Sequence, residues 1–240
     1  MNSKKCVRKE SAKLKLSELR PHPADPFKPY TEDKLKELAE SIKQVGLLEP
    51  ILVTKNEAGY YEILAGKNRA NAMRLNGETE IQAFVITADE DAAKMILTDS
   101  NLKHRDKLLP SERGTAYKMQ LEILKNTADA AKLAGEKLFS RIEKKSEPSD
   151  LVAQHHTISQ AEVYRYIRLT LLIPDLLSLV DSGELSVHAG VNFSCLDEKS
   201  QQVVYDYFYK HKKEKMDMKK SERIKDYCKL GNAVKLTFKE

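Results

Sequence analysis

Tryptophan is absent from this 240-residue chain, and only three cysteines occur. Cys6, Cys195 and Cys228 stand far apart, with no C-x-x-C pair and no histidine cluster beside them. That spacing supports neither a disulfide framework nor a structural zinc site. No apolar run approaches the ~20 residues that a membrane span needs. The first residues, MNSKKCVRKES, are basic but lack the apolar stretch of a secretory signal. A cytoplasmic location with no membrane partner is therefore expected. Internal repeats and low-complexity tracts are missing as well, which excludes solenoids and linker-like chains.

Hydrophobic residues make up 41% of the chain, enough to fill the cores of two modest domains. The formal charge of +5 is unevenly spread: residues 1–29 hold eight Lys/Arg against three Asp/Glu, and residues 209–240 hold eleven against five. The middle of the chain is thus net acidic, and the basic total by itself says little about nucleic acid. Basic tails either add salt-sensitive attraction to phosphates or simply keep a chain soluble.

Residues 13–16 alternate as a short strand would, and RPHPADPFKP, residues 20–29, reads as an extended proline-rich connector. Thr31 is placed to cap a helix whose Leu35, Leu38, Ala39, Ile42 and Val45 share one face and which Gly46 stops. Strands are expected at 51–54, 60–64 and 81–86, with a short helix at 68–75. Helices follow at 89–102 and 110–125, and 126–145 reads as helix, linker or both. Strands stop before residue 90 and helices dominate afterwards, the segregation of an α+β domain joined to an all-helical one.

Within the helical part, residues 149–154 form a short helix, 155–158 a turn, and Ser159 opens a second helix that Pro174 ends. Ser159 and Glu162 have the spacing of a capping box. Val163, Ile167, Thr170 and Leu171 line one face of that helix, while Gln160, Ala161, Tyr164, Arg165 and Arg168 share the other. The second face, with Ser159, is the candidate DNA-reading surface, since Arg can pair bidentately with guanine and Gln with adenine in a major groove. An ordinary amphipathic helix gives the same pattern. Thr157 takes a turn position where glycine is often favoured for its tolerance of positive φ, and His155 and His156 read either as phosphate contacts or as solvated turn residues.

A second candidate site is Ala65-Gly66-Lys67-Asn68-Arg69, where a strand gives way to a helix. Glycine permits close backbone approach, the amides of a helix N-terminus favour a phosphate, and Lys67 and Arg69 add two cationic arms. A tight turn with solvated basic residues is the plainer alternative. Further on, Ser100-Asn101-Leu102-Lys103-His104-Arg105 collects polar and basic groups at the end of one helix before the next begins.

Together these segments resemble the ParB family of chromosome and plasmid partition proteins over about residues 13–196. The resemblance is carried in order by LAESIKQVGLLEPILV (38–53), AGKNRANA (65–72), DSNLKHRDKLLPSE (99–112) and ISQAEVYRYIRLTLLIPDLLSLVDSGEL (158–185). The last segment is most similar to the subgroup found on plasmids and integrative mobile elements. The resemblance implies an N-terminal mixed α/β ParB/sulfiredoxin-like nucleotide-binding domain (13–108) and a helical helix-turn-helix domain (109–208). A disordered tail (1–12) and a basic tail or helix (209–240) flank them. It also implies CTP as the nucleotide, double-stranded DNA as target, a homodimer that closes as a clamp, a ParA-type ATPase as a further partner, and association with nucleoid or plasmid.

Carried over by position, Gly66, Lys67, Asn68 and Arg69 match the phosphate-binding G-E-R-R motif, Asn101 and Arg105 match E-N-x-x-R, and Gly46 belongs to a pocket-lining segment. Asn101 is the candidate Mg²⁺ ligand. The family's catalytic acids are replaced here: Lys67 stands for the glutamate of the first motif, Asn68 for its first arginine, and Ser100 for the glutamate of the second. Asn101 and Arg105 also lie one residue farther apart than usual. Loss of carboxylates removes oxygen ligands that Mg²⁺ prefers, so no catalytic residue is assigned and CTP hydrolysis stays open. Two other functions remain: a helix-turn-helix transcriptional or maintenance regulator with a degenerate pocket, and a ParB/sulfiredoxin-fold enzyme of phosphoryl transfer or DNA cleavage. Cys6 is too isolated to serve the latter as a redox nucleophile.

Overall fold

The computed structural model describes residues 9–105, 107–133, 147–210, 216 and 218–227. The chain divides into two compact units, Met1–Arg105 and Asp106–Glu240.

The first unit is a mixed five-stranded sheet with helices on both faces. Its strands are β1 (Lys9–Lys15), β2 (Leu19–Pro21), β3 (Ile51–Lys55), β4 (Tyr61–Ala65) and β5 (Glu80–Ile86), in the order β1-β5-β3-β4-β2. The β1–β5 and β3–β4 pairs run antiparallel, and β3–β5 and β2–β4 run parallel. Successive side chains of a strand point to opposite faces, and β4 shows it. Ile63 packs with Ile51, Val53, Ile81 and Ala70 of helix α2 (Lys67–Leu75), whereas Leu64 packs with Ile86, Ala93 and Leu97 of helix α3 (Glu90–His104). Helix α1 (Glu32–Val45) ends at Gly46 as the sequence predicts.

Three expectations need correction here. Strand β1 starts at Lys9, so the end of the supposed disordered tail is paired with β5, Lys9 lying opposite Ile86. The start of the proline-rich connector is strand β2, where Leu19–Pro21 add to the edge of β4; an edge strand tolerates proline because one side of its backbone needs no ladder bond. Thr31 occupies the N-cap position of α1, but its hydroxyl makes no capping bond.

The second unit is all-helical among the described residues: α4 (Pro110–Leu133), α5 (Pro148–His155), α6 (Gln160–Leu169), α7 (Pro174–Ser182), α8 (Val187–Phe193), α9 (Glu198–Lys210) and α10 (Met218–Tyr227). Proline at the first turn starts α7, where its missing N–H costs nothing. The Ser186 hydroxyl accepts from the Ala189 amide to cap α8. The core gathers Leu169, Leu176, Val180, Ala189, Phe193 and Val204.

Gly114 fixes how closely α4 and α6 lie: a Cβ there would come within 2.4 Å of the Tyr166 carbonyl oxygen, so only glycine allows this approach. Of the tail or helix expected over 209–240, residues Met218–Tyr227 form helix α10, which belongs to this core. Met216 and Ile224 are buried in it, and Asn192 bonds Ser221 at 2.8 Å while Lys225 bonds Asn192 at 3.1 Å. Residues 1–8 of the expected N-terminal tail, 134–146 of the charged stretch and most of the remaining C-terminal stretch lie outside the described residues.

Candidate functional site

In the first unit a cavity of about 390 Å³ opens between the start of α2, the end of α3 and the connector after β2. Gly66, Lys67, Asn68, Arg69, Asn101 and Arg105 all line it, so the two motifs, some 35 residues apart in the chain, meet at one place. Strand β4 delivers the first motif. A register shift between Leu52 and Val53 in the β3–β4 pair disrupts the ladder just ahead of Gly66, a common way to re-aim a chain beside a site. Gly66 then turns with φ of 93°, a left-handed conformation, and its missing side chain leaves room for Ile51, whose Cγ2 would sit 2.6 Å from a Cβ. The α2 amides that follow face the cavity end of the helix, where the backbone carries partial positive charge.

Each basic group of the cavity already has protein acceptors. The Lys67 ammonium donates to Asp25 Oδ2 at 2.5 Å and to the Phe27 carbonyl. Lys67 is therefore not the loose cationic arm expected from the sequence, because a carboxylate buried to 6% exposure holds it in place. Asp25 is fixed in turn by the Phe27 amide, which donates to Oδ1. Asn68 is turned toward the connector and accepts from the Tyr30 amide at 3.0 Å. Arg69 donates to the carbonyls of Glu49 at 2.6 Å and Pro50 at 3.3 Å and reaches the Glu49 carboxylate at 3.3 Å. Burial pulls its guanidinium below the ordinary arginine value, and Glu49 opposes the change. Arg105 donates to the Lys28 carbonyl at 3.0 Å and lies 5.5 Å from the centre of the Tyr30 ring.

One residue, Gly46, departs from its expected place. Gly46 falls outside this cavity and lines a different concavity with Lys43, Leu47 and Met73, because the chain after α1 turns away and presents Glu49 instead. Asn101 lines the cavity, yet its amide donates to the Leu97 carbonyl of its own helix at 2.9 Å. Asp25, Phe27, Tyr30 and Glu49 were not singled out as site residues from the sequence. Asp25 and Phe27 lie within the proline-rich stretch and Tyr30 just after it, but no local feature of the sequence ties that stretch to the glycine-basic turn.

Mg²⁺ takes oxygen ligands and usually binds through one or two carboxylates together with substrate phosphates. The donor set here does not fit it: Asp25 is committed to Lys67, and Glu49, 83% exposed, lies against Arg69. Those are the only carboxylates among the described residues that line the cavity.

In the second unit, α5 and α6 form a helix-turn-helix. The turn contains Thr157 at φ 57°, the only non-glycine residue with positive φ among those described, at the position where glycine is favoured. Ser159 accepts from the Glu162 amide at 3.1 Å and starts α6. Its inner face differs from the expected one: Val163 and Leu169 are fully buried, whereas Leu171 is 55% exposed because α6 ends at Leu169 instead of running on to Pro174.

On the outer side Ala161 and Tyr164 are exposed and Arg165 is half-buried. Gln160 and Arg168 are turned inward. The Gln160 amide donates to Ser149 Oγ at 2.7 Å, and Arg168 donates to Ser194 Oγ at 3.2 Å and Cys195 Sγ at 3.0 Å, which pins the end of α6 to the end of α8. His156 is no phosphate contact either, since its Nε2 pairs with Gln120 Oε1 at 2.8 Å and its ring packs on Tyr117.

The first unit is thus a mixed sheet whose glycine-basic turn meets the polar end of a helix, and the second carries a helix-turn-helix. Residues 1–101 match the family described as the ParB N-terminal domain. The chain is similar to chromosome-partitioning protein Spo0J of Thermus thermophilus, 31% identical over 72% of this chain and 56% of the relative. It is also similar to Stage 0 sporulation protein J of Bacillus subtilis, 30% identical over 78% and 58%. A probable chromosome-partitioning protein ParB of Helicobacter pylori is 36% identical over 48% of this chain and 39% of its own. The chain thus spans about half the length of the curated relatives it matches. Among solved structures, C-terminally truncated ParB of Caulobacter crescentus, complexed to the centromeric parS site, aligns with a TM-score of 0.52 at 21% identity over 90% of this chain and 98% of that one. A Pnob8-like ParB-N domain aligns at 0.54 and 12% identity over 95% and 98%. These likenesses show a shared fold. No helix among the described residues is long and apolar enough to cross a membrane.

Proposed function

We propose that this chain is a DNA-binding partition protein whose N-terminal cavity takes a nucleoside triphosphate, CTP in keeping with the family resemblance, and uses it to govern how the helical unit holds DNA. The convergence of Gly66, Arg69, Asn101 and Arg105 on one cavity carries the reading. A left-handed glycine before a helix N-terminus, flanked by two guanidinium groups, suits a phosphate chain. The nearby rings of Tyr30 and Phe27, also at the cavity, suit a base or sugar. In the helical unit the α6 surface around Ala161, Tyr164 and Arg165 is the part that would enter a major groove. The relatives' names support a role in chromosome partitioning, and the complex of the Caulobacter crescentus protein supports duplex DNA as the target. Association with nucleoid or plasmid DNA in the cytoplasm follows from that role, with a second copy of the chain and a ParA-type ATPase as partners.

Calorimetric titration of the purified chain with CTP, using ATP and GTP as controls, tests the pocket. Selective CTP binding that Arg69→Ala abolishes is the expected outcome. Equal, weak or absent heats for all three nucleotides would leave a helix-turn-helix DNA binder with a vestigial cavity. An enzyme of phosphoryl transfer or DNA cleavage is disfavoured because both lining carboxylates are paired with cations.

A further inference from the structure

The resemblance brings a divalent cation with it, and the donor set of the cavity does not suit one. We infer that this pocket takes its triphosphate without a divalent metal, with the Lys67 ammonium, clamped by Asp25, standing where the ion would.

An ammonium has three N–H donors. Lys67 directs two of them to Asp25 Oδ2 and the Phe27 carbonyl, which leaves one for a ligand in the cavity it lines. Its side chain is 20% exposed, so it reaches the cavity while the clamp stays buried. Asp25 acts as a positioning residue: it fixes a long, rotamer-rich side chain before ligand arrives, and the ordering cost is met on folding. A divalent ion would have to displace Lys67 from Asp25 or sit beside the ammonium, and like charges within a few ångströms repel strongly where water is scarce. Arg69 supplies a further fixed positive charge at the same turn. Lys67 stands where the family pattern has a glutamate, so a carboxylate has been exchanged for a cation.

The inference rests on the nucleotide reading above, and the test separates the two. CTP is titrated calorimetrically into the full chain in excess Mg²⁺ and in excess EDTA, with thermal unfolding as a check that each variant is folded. The wild-type chain is expected to bind CTP in EDTA at least as tightly as in Mg²⁺, within about threefold. Lys67→Gln is expected to weaken binding in EDTA about tenfold or more and to recover part of the loss when Mg²⁺ is added. Lys67→Arg keeps the charge and should retain binding in EDTA. Wild-type binding that appears only with Mg²⁺ overturns the inference and leaves the nucleotide reading standing. A Lys67→Gln chain that binds in EDTA as tightly as wild type also overturns it. Absence of binding in either buffer removes both.

Discussion

The two units treat their functional side chains in opposite ways. In the cavity of the first unit every cation is held by the protein itself: Lys67 by Asp25 and Phe27, Arg69 by Glu49 and Pro50, and Arg105 by Lys28. On the outer side of α6 in the second unit, Tyr164 is 41% exposed, and no hydrogen bond or ion pair among the described residues restrains it or Arg165. A pocket for a small, highly charged ligand gains affinity from groups fixed in advance. A surface that must fit along a groove keeps its reading side chains adaptable, and its rigidity comes from the helix packing behind it. The difference makes glycine backbones decisive in both units and makes single side chains matter differently in each.

The sharpest way to break the comparison is to disturb one unit and watch the other. Gly114→Ala places a methyl 2.4 Å from the Tyr166 carbonyl oxygen, a backbone atom that yields only if α4 and α6 part. It should destabilise the helical unit by about 3 kcal/mol, at the upper end of overpacking costs. Denaturant unfolding should show the loss, while CTP titration stays as in the wild type. In the other direction, Gly66→Ala forces a left-handed conformation at φ 93° on a residue with a Cβ and presses it on Ile51. A cost of about 2 kcal/mol is expected. CTP affinity should fall more than tenfold, with nucleotide-free DNA binding unchanged in an electrophoretic shift assay.

How much of this could be read beforehand differed between elements. Helix α1 was legible because its apolar spacing and its glycine stop are local properties. So was the turn at Gly66, since a glycine ahead of a basic helix start needs no partner to be noticed. The pairing of β1 with β5 was not legible, because residues 9–15 contact residues 80–86 and short-range alternation carries no register across that distance. Asp25 was hidden for the same reason: its ion pair is with Lys67, 42 residues away, and a lone aspartate among prolines looks like part of a loop. On α6 the helical period separated buried Val163 from exposed Ala161 and Tyr164. It failed at the ends, where Gln160 and Arg168 bend back to Ser149 and Ser194. Gly114 inside α4 carries a signal of its own, as an isolated glycine in a helix often marks a close packing contact.

Two smaller effects sharpen the contrast. Arg165→Ala should weaken sequence-selective DNA binding by about 1.5 kcal/mol, in the range of one base contact, and leave CTP affinity untouched. Competition binding with matched and scrambled duplexes would register it. Thr157→Gly should stabilise the helical unit by about 1 kcal/mol, because a β-branched residue at φ 57° is strained and glycine is not. A rise in the unfolding midpoint with unchanged DNA selectivity is the expected readout.

On the function proposed above, nucleotide bound in the first unit governs how the second holds DNA. The most direct test of this is the dissociation rate of the chain from a duplex it has selected out of random-sequence DNA, measured with and without CTP for wild type and for Arg69→Ala. A nucleotide-governed binder changes its residence on DNA several-fold when CTP is added, and Arg69→Ala removes that response while keeping the nucleotide-free rate. Identical dissociation with and without CTP in the wild-type chain would contradict the claim and leave two units that work independently.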